Sequence, residues 1–297
     1  MRNRRLLPVL ALAAAIVAVI VVLVSAGGGG SGNGGAKPAA AAKKAKTSSN
    51  GARPPAKPAG RIVPHHRTPV PVLMYHVVGD PGPGQPNVSL FVSETEFRAQ
   101  IAWLRDHGYH AITLQQAYDF WKSGVALPSK PVVITFDDGY LGQFTHAFPV
   151  MQSLHWPGVL NLKVGNIGKT GIEKSEVKQM VASGWEVDAH TITHPDLTTV
   201  GPAQLQTEIA GSKAKLKALF GVPVNFFCYP AGRFNATVVA AVKAAGYLGA
   251  TTTMPGFASP KQGFYTLDRV RIDRGDGANG LATKLASRGA GISAGGE

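Results

Sequence analysis

Asp137 and Asp138 stand side by side at the end of an apolar run, and His190 and His194 stand four apart further along the chain. Two imidazoles and one carboxylate are the ligand types of a catalytic zinc that keeps one position open for water. The other carboxylate of the Asp pair is then free to act as a base. The chemistry implied is metal-assisted hydrolysis. A blander role for Asp137-Asp138-Gly139 is a helix N-terminal pair accepting backbone N–H bonds, but the preceding run and the His pair weigh against it. His190-Thr191-Ile192-Thr193-His194 lacks the glutamate of the HExxH pattern, which argues against a zincin protease. Its β-branched interior favours a loop or a single turn over a long helix.

The elements that must position these residues can be read from periodicity. Val132-Val133-Ile134-Thr135-Phe136 is a continuous apolar, β-rich run, as expected for a strand buried on both faces of a parallel sheet. Residues 71–75 form a short apolar strand ending at His76. Ser93-x-x-Glu96 is a capping box that opens a helix with Phe97, Ile101 and Leu104 on one face. A strand near 109–112, a helix near 115–122, a helical stretch around 144–154, a strand near 159–164 and a helix over 173–182 follow. The pattern continues with the His-pair strand, a long helix from Pro202 to Phe220, a strand over 224–229, a helix over 236–245, and strands near 247–251 and 269–272. Repeated βα units imply a parallel sheet with helices outside, closed or nearly closed. In such barrels the active residues gather after the strand C-termini. Each candidate fits that rule except Arg269, which this reading places at a strand start.

The ends of the chain differ from its middle. Residues 6–26 are an apolar run behind Arg2, Arg4 and Arg5, long enough to span a bilayer. An uncleaved anchor is expected, with a signal cleaved after Ala26 as the alternative. Residues 27–68, rich in Gly, Ala, Lys and Pro, read as a disordered tether. Residues 1–68 hold eleven of the 30 Lys and Arg and no acid, leaving 19 bases against 17 acids in the rest. Of the net charge of +13, +11 lies in residues 1–68, which suits anionic lipid or wall polymer. No basic patch on a folded stretch supports nucleic-acid binding. The single cysteine, Cys228, excludes an intrachain disulfide framework and a cysteine-based metal cluster. Residues 69–276 are the expected catalytic domain and 277–297 a Gly-rich tail.

Thr135-Phe136-Asp137-Asp138-Gly139-Tyr140, HTITHPDL from His190, FCYPAG from Phe227, and PVLMYH ending at His76 together resemble the polysaccharide deacetylases, carbohydrate esterase family four with a NodB-like homology domain. The branch with an N-terminal MYH segment is the most similar, and the resemblance covers about residues 69–275. It implies an irregular or incomplete (β/α) barrel. It also implies that Asp138, His190 and His194 hold a divalent ion, zinc being the expected one, while Asp137 is the general base. Tyr229, Pro230 and Ala231 then form the oxyanion and substrate segment, with the Ala231 N–H as donor.

Two departures from the family pattern stand out. Many relatives carry an Arg two residues before the Pro, where this chain has Cys228; Arg269, with Arg271 behind it, is the candidate to orient Asp137 instead. Cys228 itself reads as a small buried residue. No His follows His194, so the late general-acid His of many relatives is missing, and His76 is the expected replacement. Trp156, Tyr140, Phe234 and Phe257 are candidates for stacking on sugar rings, with core packing as the alternative. The expected activity is removal of N-acetyl groups from an N-acetylhexosamine polysaccharide by an extracytoplasmic monomer. The alternatives are an O-acetyl polysaccharide esterase using the same site, and a catalytically silent, tethered glycan-binding module.

Overall fold

The computed structural model of the protein describes residues 66–168 and 171–293. The expected anchor (1–26) and nearly all of the expected tether (27–68) lie outside them. Among the described residues no helix is long and apolar enough to cross a membrane.

Strands and helices alternate along the chain. They are β1 (Val72–Tyr75), β2 (Val77–Val78), β3 (Phe91–Val92), α1 (Glu94–Asp106), β4 (His110–Ile112), α2 (Leu114–Ser123), β5 (Pro131–Asp137), α3 (Phe148–Ser153) and β6 (Val159–Leu162). There follow α4 (Lys174–Ala182), β7 (Glu186–Ala189), α5 (Pro202–Phe220), β8 (Phe226–Cys228), α6 (Ala236–Ala244), β9 (Gly249–Pro255), β10 (Leu267–Arg271) and α7 (Gly277–Ser293). All pairings between these strands are parallel. Strands β1, β10, β9, β8, β7, β6 and β5 form a ring that closes through the β1–β5 pairing. The barrel therefore has seven strands and is closed. Its irregularity lies at β5, whose first residues, Pro131–Val133, carry the outlying β4 while Thr135–Asp137 pair with β6.

The run over β5 is buried on both sides, and its alternation divides the labour. Val132, Ile134 and Phe136 pack in the large core that includes helix residues such as Phe97, Met151 and Val177. Val133 points the other way, with Val72, Val159, Phe226 and Leu267, and Thr135 and Asp137 continue that face. The interior is thus apolar toward the N-terminal ends of the strands and polar toward their C-terminal ends.

Local signals place the helices. The Ser93–Glu96 capping box makes both of its reciprocal bonds at the start of α1. The helical stretch expected over 144–154 is broken into a five-residue π-turn, Gln143–Ala147, and the short α3, near whose start Pro149 lacks an N–H to continue the ladder. The expected Gly-rich tail over 277–297 is corrected: residues 277–293 are the helix α7. Leu281 and Leu285, one turn apart, are buried against the core. Lys284 Nζ bonds the Arg271 carbonyl at 3.0 Å and the Asp276 carboxylate at 2.5 Å, which ties α7 to the end of β10. Tertiary packing overrides weak glycine propensity here.

Glu186 and Asp188, two apart on β7, turn to the barrel interior together. Asp188 Oδ1 accepts the Phe226 N–H at 2.9 Å and Glu186 Oε2 accepts the Gln115 N–H at 3.0 Å. Their other oxygens are buried without a donor among the described residues. A proton shared between the two carboxyls would supply that donor. Burial pushes Asp188 up to about 7 against the Phe226 and Glu186 hydrogen bonds, and burial followed by the Asp188 charge raises Glu186 well above its usual range. Between about pH 4 and pH 7 the folded chain therefore holds more protons than the unfolded one, and this pair's contribution to stability falls as pH rises. Glu186→Gln replaces the shared proton with an amide N–H. Thermal unfolding at pH 5 and pH 8 should show a wild-type melting temperature several degrees lower at pH 8 and a smaller drop in Glu186→Gln. Equal drops in both proteins would contradict the shared proton.

Candidate active site

Strand β5 delivers Asp137 into the barrel mouth, and the chain then turns sharply because Asp138 (φ 74°) and Gly139 (φ 77°) both adopt left-handed conformations. That turn aims the Asp138 carboxylate sideways, toward the end of β7. There Ala189 ends the strand and His190 begins a loop in which Thr191 (φ 65°) and His194 (φ 67°) are also left-handed. Such a φ is uncommon for any non-glycine residue and unfavourable for a β-branched one. Tethers hold the loop in place: Val164 N–H to Thr191 O at 3.1 Å, Gly165 N–H to Ile192 O at 2.9 Å, and His194 N–H to Thr191 Oγ1 at 2.9 Å. Gly165 is required for this approach, since a Cβ there would stand 2.8 Å from the Ile192 carbonyl oxygen.

The result is a three-donor cluster. His190 Nε2 lies 3.6 Å and His194 Nε2 3.9 Å from Asp138 Oδ1, and all three donor atoms fall within 4.8 Å of one another. Ligands about 2.0–2.1 Å from a tetrahedral ion stand a little over 3 Å apart, so the set fits a divalent metal with slight contraction. His190 Nδ1 is 2.8 Å from the Cys228 carbonyl. That acceptor fixes the tautomer with the proton on Nδ1 and leaves the Nε2 lone pair facing Asp138, the usual outer partner of a metal-binding imidazole. Burial opposes charge on His190, yet Cys228, Asp138 and Asp137 together push its pKa up to about 10. The field at this point favours a cation.

Asp137 is built differently. Arg269 Nη1 donates to Asp137 Oδ1 and Nη2 to Oδ2, each at 2.8 Å, and Asn161 Nδ2 donates to Oδ1 at 2.7 Å. Arg269 Nε is held by the Thr252 carbonyl at 2.7 Å, and Nη2 lies 3.2 Å from Cys228 Sγ. Burial pushes the Asp137 carboxyl up; the Arg269 guanidinium more than cancels this and holds it far below the usual carboxylate range. His76 Nε2 stands 3.7 Å from Asp137 Oδ2. Burial lowers the His76 pKa against the pull of both Asp residues, so the imidazole rests neutral.

One cavity of about 290 Å³ at the C-terminal mouth of the barrel is lined by His76, Asp137, Asp138, His190, His194, Tyr229, Ala231 and Arg269. Of the expected catalytic, metal-ligating and oxyanion residues, Pro230 alone stays off that lining, buried in the tight turn that gives Ala231 its left-handed φ of 50°. The Tyr229 hydroxyl is tied back to the Tyr265 carbonyl at 3.0 Å. Arg269 is not at a strand start; it sits mid-strand in β10 and reaches across the interior. Trp156, Phe234 and Phe257 pack against the core, and they and Tyr140 are absent from the cavity lining.

Asn161, Gln143, Asn87, Leu90 and Thr253 were not marked by the sequence. Gln143 Nε2 donates to both the His76 and Asp137 carbonyls, at 2.9 and 2.6 Å, and so joins two strand ends. An Asn in the apolar run of β6, two residues after Val159, is the one sequence signal that could have found any of them.

A fold of this kind with two carboxylates and two histidines at the strand ends defines a class, and the comparisons name it. The polysaccharide deacetylase family model matches residues 124–250. YxkH of Bacillus subtilis is 33% identical over 219 residues, 73% of this chain and 76% of that one. The chain belongs to the polysaccharide deacetylase family, whose members are hydrolases. The Streptococcus pyogenes deacetylase PplD, solved in complex with acetate, matches with a TM-score of 0.70 and 26% identity over 74% of this chain and 99% of its own. The poly-β-1,6-N-acetyl-D-glucosamine N-deacetylase of Staphylococcus aureus (strain MRSA252) is 25% identical over 196 residues, 61% of this chain and 67% of that one.

The buried pair can be tested by a double-mutant cycle. Arg269→Met leaves the Asp137 charge buried and uncompensated, a loss of about 3–5 kcal/mol. Asp137→Asn/Arg269→Met removes both charges and should lose less than the two single losses added together. Urea unfolding measures all four proteins, and strict additivity would show that the two groups do not support each other.

Proposed function

We propose that the chain is a metal-dependent N-deacetylase acting on an N-acetylhexosamine polysaccharide outside the cytoplasm. The observation that carries this reading is the Asp138–His190–His194 donor set opening onto the same cavity as the Arg269-bound Asp137. Acetate in the PplD structure is consistent with this chemistry, since acetate is the product of deacetylation. The S. aureus relative supplies the substrate class by its name. The apolar 6–26 run behind Arg2, Arg4 and Arg5 supports a membrane anchor, with 27–68 as the tether.

Asp138, His190 and His194 would hold a divalent ion, zinc by ligand preference, which would polarise the acetyl carbonyl and acidify a water. Asp137, ionised and fixed by Arg269, takes the water's proton as its oxygen attacks the carbonyl carbon. The Ala231 N–H helps hold the developing oxyanion. The proton taken up by Asp137 then moves to the neutral His76 imidazole beside it, and the resulting imidazolium gives it to the departing amine as the carbon–nitrogen bond breaks. Acetate and a free amine result. Because Arg269 keeps Asp137 ionised across the working range, an acidic limb in the rate profile reports the histidines rather than this carboxylate.

Two outcomes follow for the role assignment. Asp138→Asn and His190→Ala should lose bound zinc by elemental analysis, whereas Asp137→Asn keeps it and loses turnover by about 10²-fold or more. Zinc lost in Asp137→Asn but kept in Asp138→Asn would reverse the ligand and the base.

His76→Ala should retain zinc. It should slow acetate release from an acetylated glucosamine oligomer by about 10²–10⁴-fold, because an amine leaves poorly without a proton. An activated aryl acetate, whose leaving group needs no proton, should be much less affected. Equal impairment on both substrates would exclude the acid role.

A further inference from the structure

Helix α5 carries its buried residues at Leu205, Glu208, Ile209, Ser212 and Leu216, a stripe at helical spacing that faces the core. Glu208 is the anomaly in that stripe: a carboxylate 4% exposed, with no Lys or Arg paired to it among the described residues. A buried charge without a counter-ion is costly unless hydrogen bonds satisfy it. Three do. Glu208 Oε2 accepts the consecutive N–H groups of Ile192 and Thr193 at 2.7 and 2.9 Å, and Oε1 accepts the Thr193 hydroxyl at 2.5 Å.

Two successive backbone N–H groups converging on one anion form a nest, a concavity that suits a negative charge. This nest is the middle of the His190–His194 loop. Its shape depends on left-handed Thr191 and His194, conformations that cost energy and persist only when surroundings enforce them. The Glu208 carboxylate fixes the two residues between those strained positions and with them the spacing of the two imidazoles, whose ring centres lie 4.7 Å apart. It does not line the cavity.

We propose that Glu208 is a positioning residue that sets the metal affinity of the site by holding the His190–His194 loop. The proposal rests on the reading of Asp138, His190 and His194 as metal ligands. Outer partners of this kind are worth about 10–100-fold in metal affinity.

The test is a Zn²⁺ titration of the full chain against a competing chelator. Glu208→Leu suits the apolar stripe and removes the acceptor. Folded by circular dichroism, it should bind Zn²⁺ about 10–100-fold more weakly, with turnover recovered by excess Zn²⁺, a recovery that a damaged fold would not permit. Glu208→Asp keeps the charge but withdraws it from the nest, and should also weaken binding. Glu208→Gln retains an acceptor oxygen and should stay close to wild type. Wild-type affinity in folded Glu208→Leu or, if that variant does not fold, in Glu208→Asp would overturn the proposal. A wild-type chain that binds no Zn²⁺, or a His190→Ala variant that binds it equally well, would instead remove the metal reading beneath it.

Discussion

The constraint around which the barrel mouth is organised is the buried ion pair between Asp137 on β5 and Arg269 on β10. These strands are not neighbours; β1 lies between them. The guanidinium therefore spans the barrel interior, and four of its donor contacts are fixed by Thr252, Thr135 and the two Asp137 oxygens. A pair so deep gains little stability over an apolar replacement, because desolvation of both charges offsets their attraction. Its value is geometric and electrostatic. It fixes one carboxylate in orientation and keeps it ionised while a second, Asp138, stays free to turn toward the histidines. Cys228, small and soft, leaves room for the guanidinium, so the cation comes from a different strand than the family pattern suggests.

Strain is concentrated at the same end. Asp138, Thr191, His194 and Ala231 all hold left-handed backbone conformations, and all four line or adjoin the cavity. Each aims a side chain or an N–H where a regular strand ending would not. The cost is of order 1–3 kcal/mol at each position. Interlocked tethers hold these conformations: Val164 and Gly165 on the His loop, Glu208 beneath it, and Asn166 Nδ2 on the Asp138 carbonyl at 2.9 Å. The apolar half of the interior and the surrounding helices give these tethers a rigid base.

Much of this was legible in the chain. The two-sided burial of β5, the α1 capping box, the α5 limits and the meeting of Asp138, His190 and His194 follow from local pattern or motif. Arg269 could be named as the cation facing Asp137 but not placed, because its reach depends on the register between β9 and β10, which shifts between Leu267 and Arg269. Helix α7 was hidden because its glycines argue for a tail while Leu281, Leu285 and Lys284 act only through partners distant in sequence. Glu208 left a trace, a charge on an apolar stripe, whose meaning depends on a loop that only the fold brings near. Glu186 and Asp188 carry no signal in the sequence, because only the pairing of β7 with β6 turns both of them inward.

The last of these shows how one barrel wall tunes two carboxyls in opposite directions. Register places Asp137 beside Asn161 on β6, and Asn161 beside Asp188 on β7. Asp137, with a guanidinium across its oxygens, is held ionised; Asp188, with only backbone donors and another acid for company, is pushed up to about 7. Asn161 is the spacer between them. Its amide donates to Asp137 without adding charge and stands between the ionised carboxyl on one side and the raised one on the other. A carboxylate at 161 would face Asp137 with no donor and compete for Arg269. An apolar residue there would leave Asp137 Oδ1 one hydrogen bond short. A neutral donor meets both demands, which gives a buried polar residue in an otherwise apolar strand its physical reason.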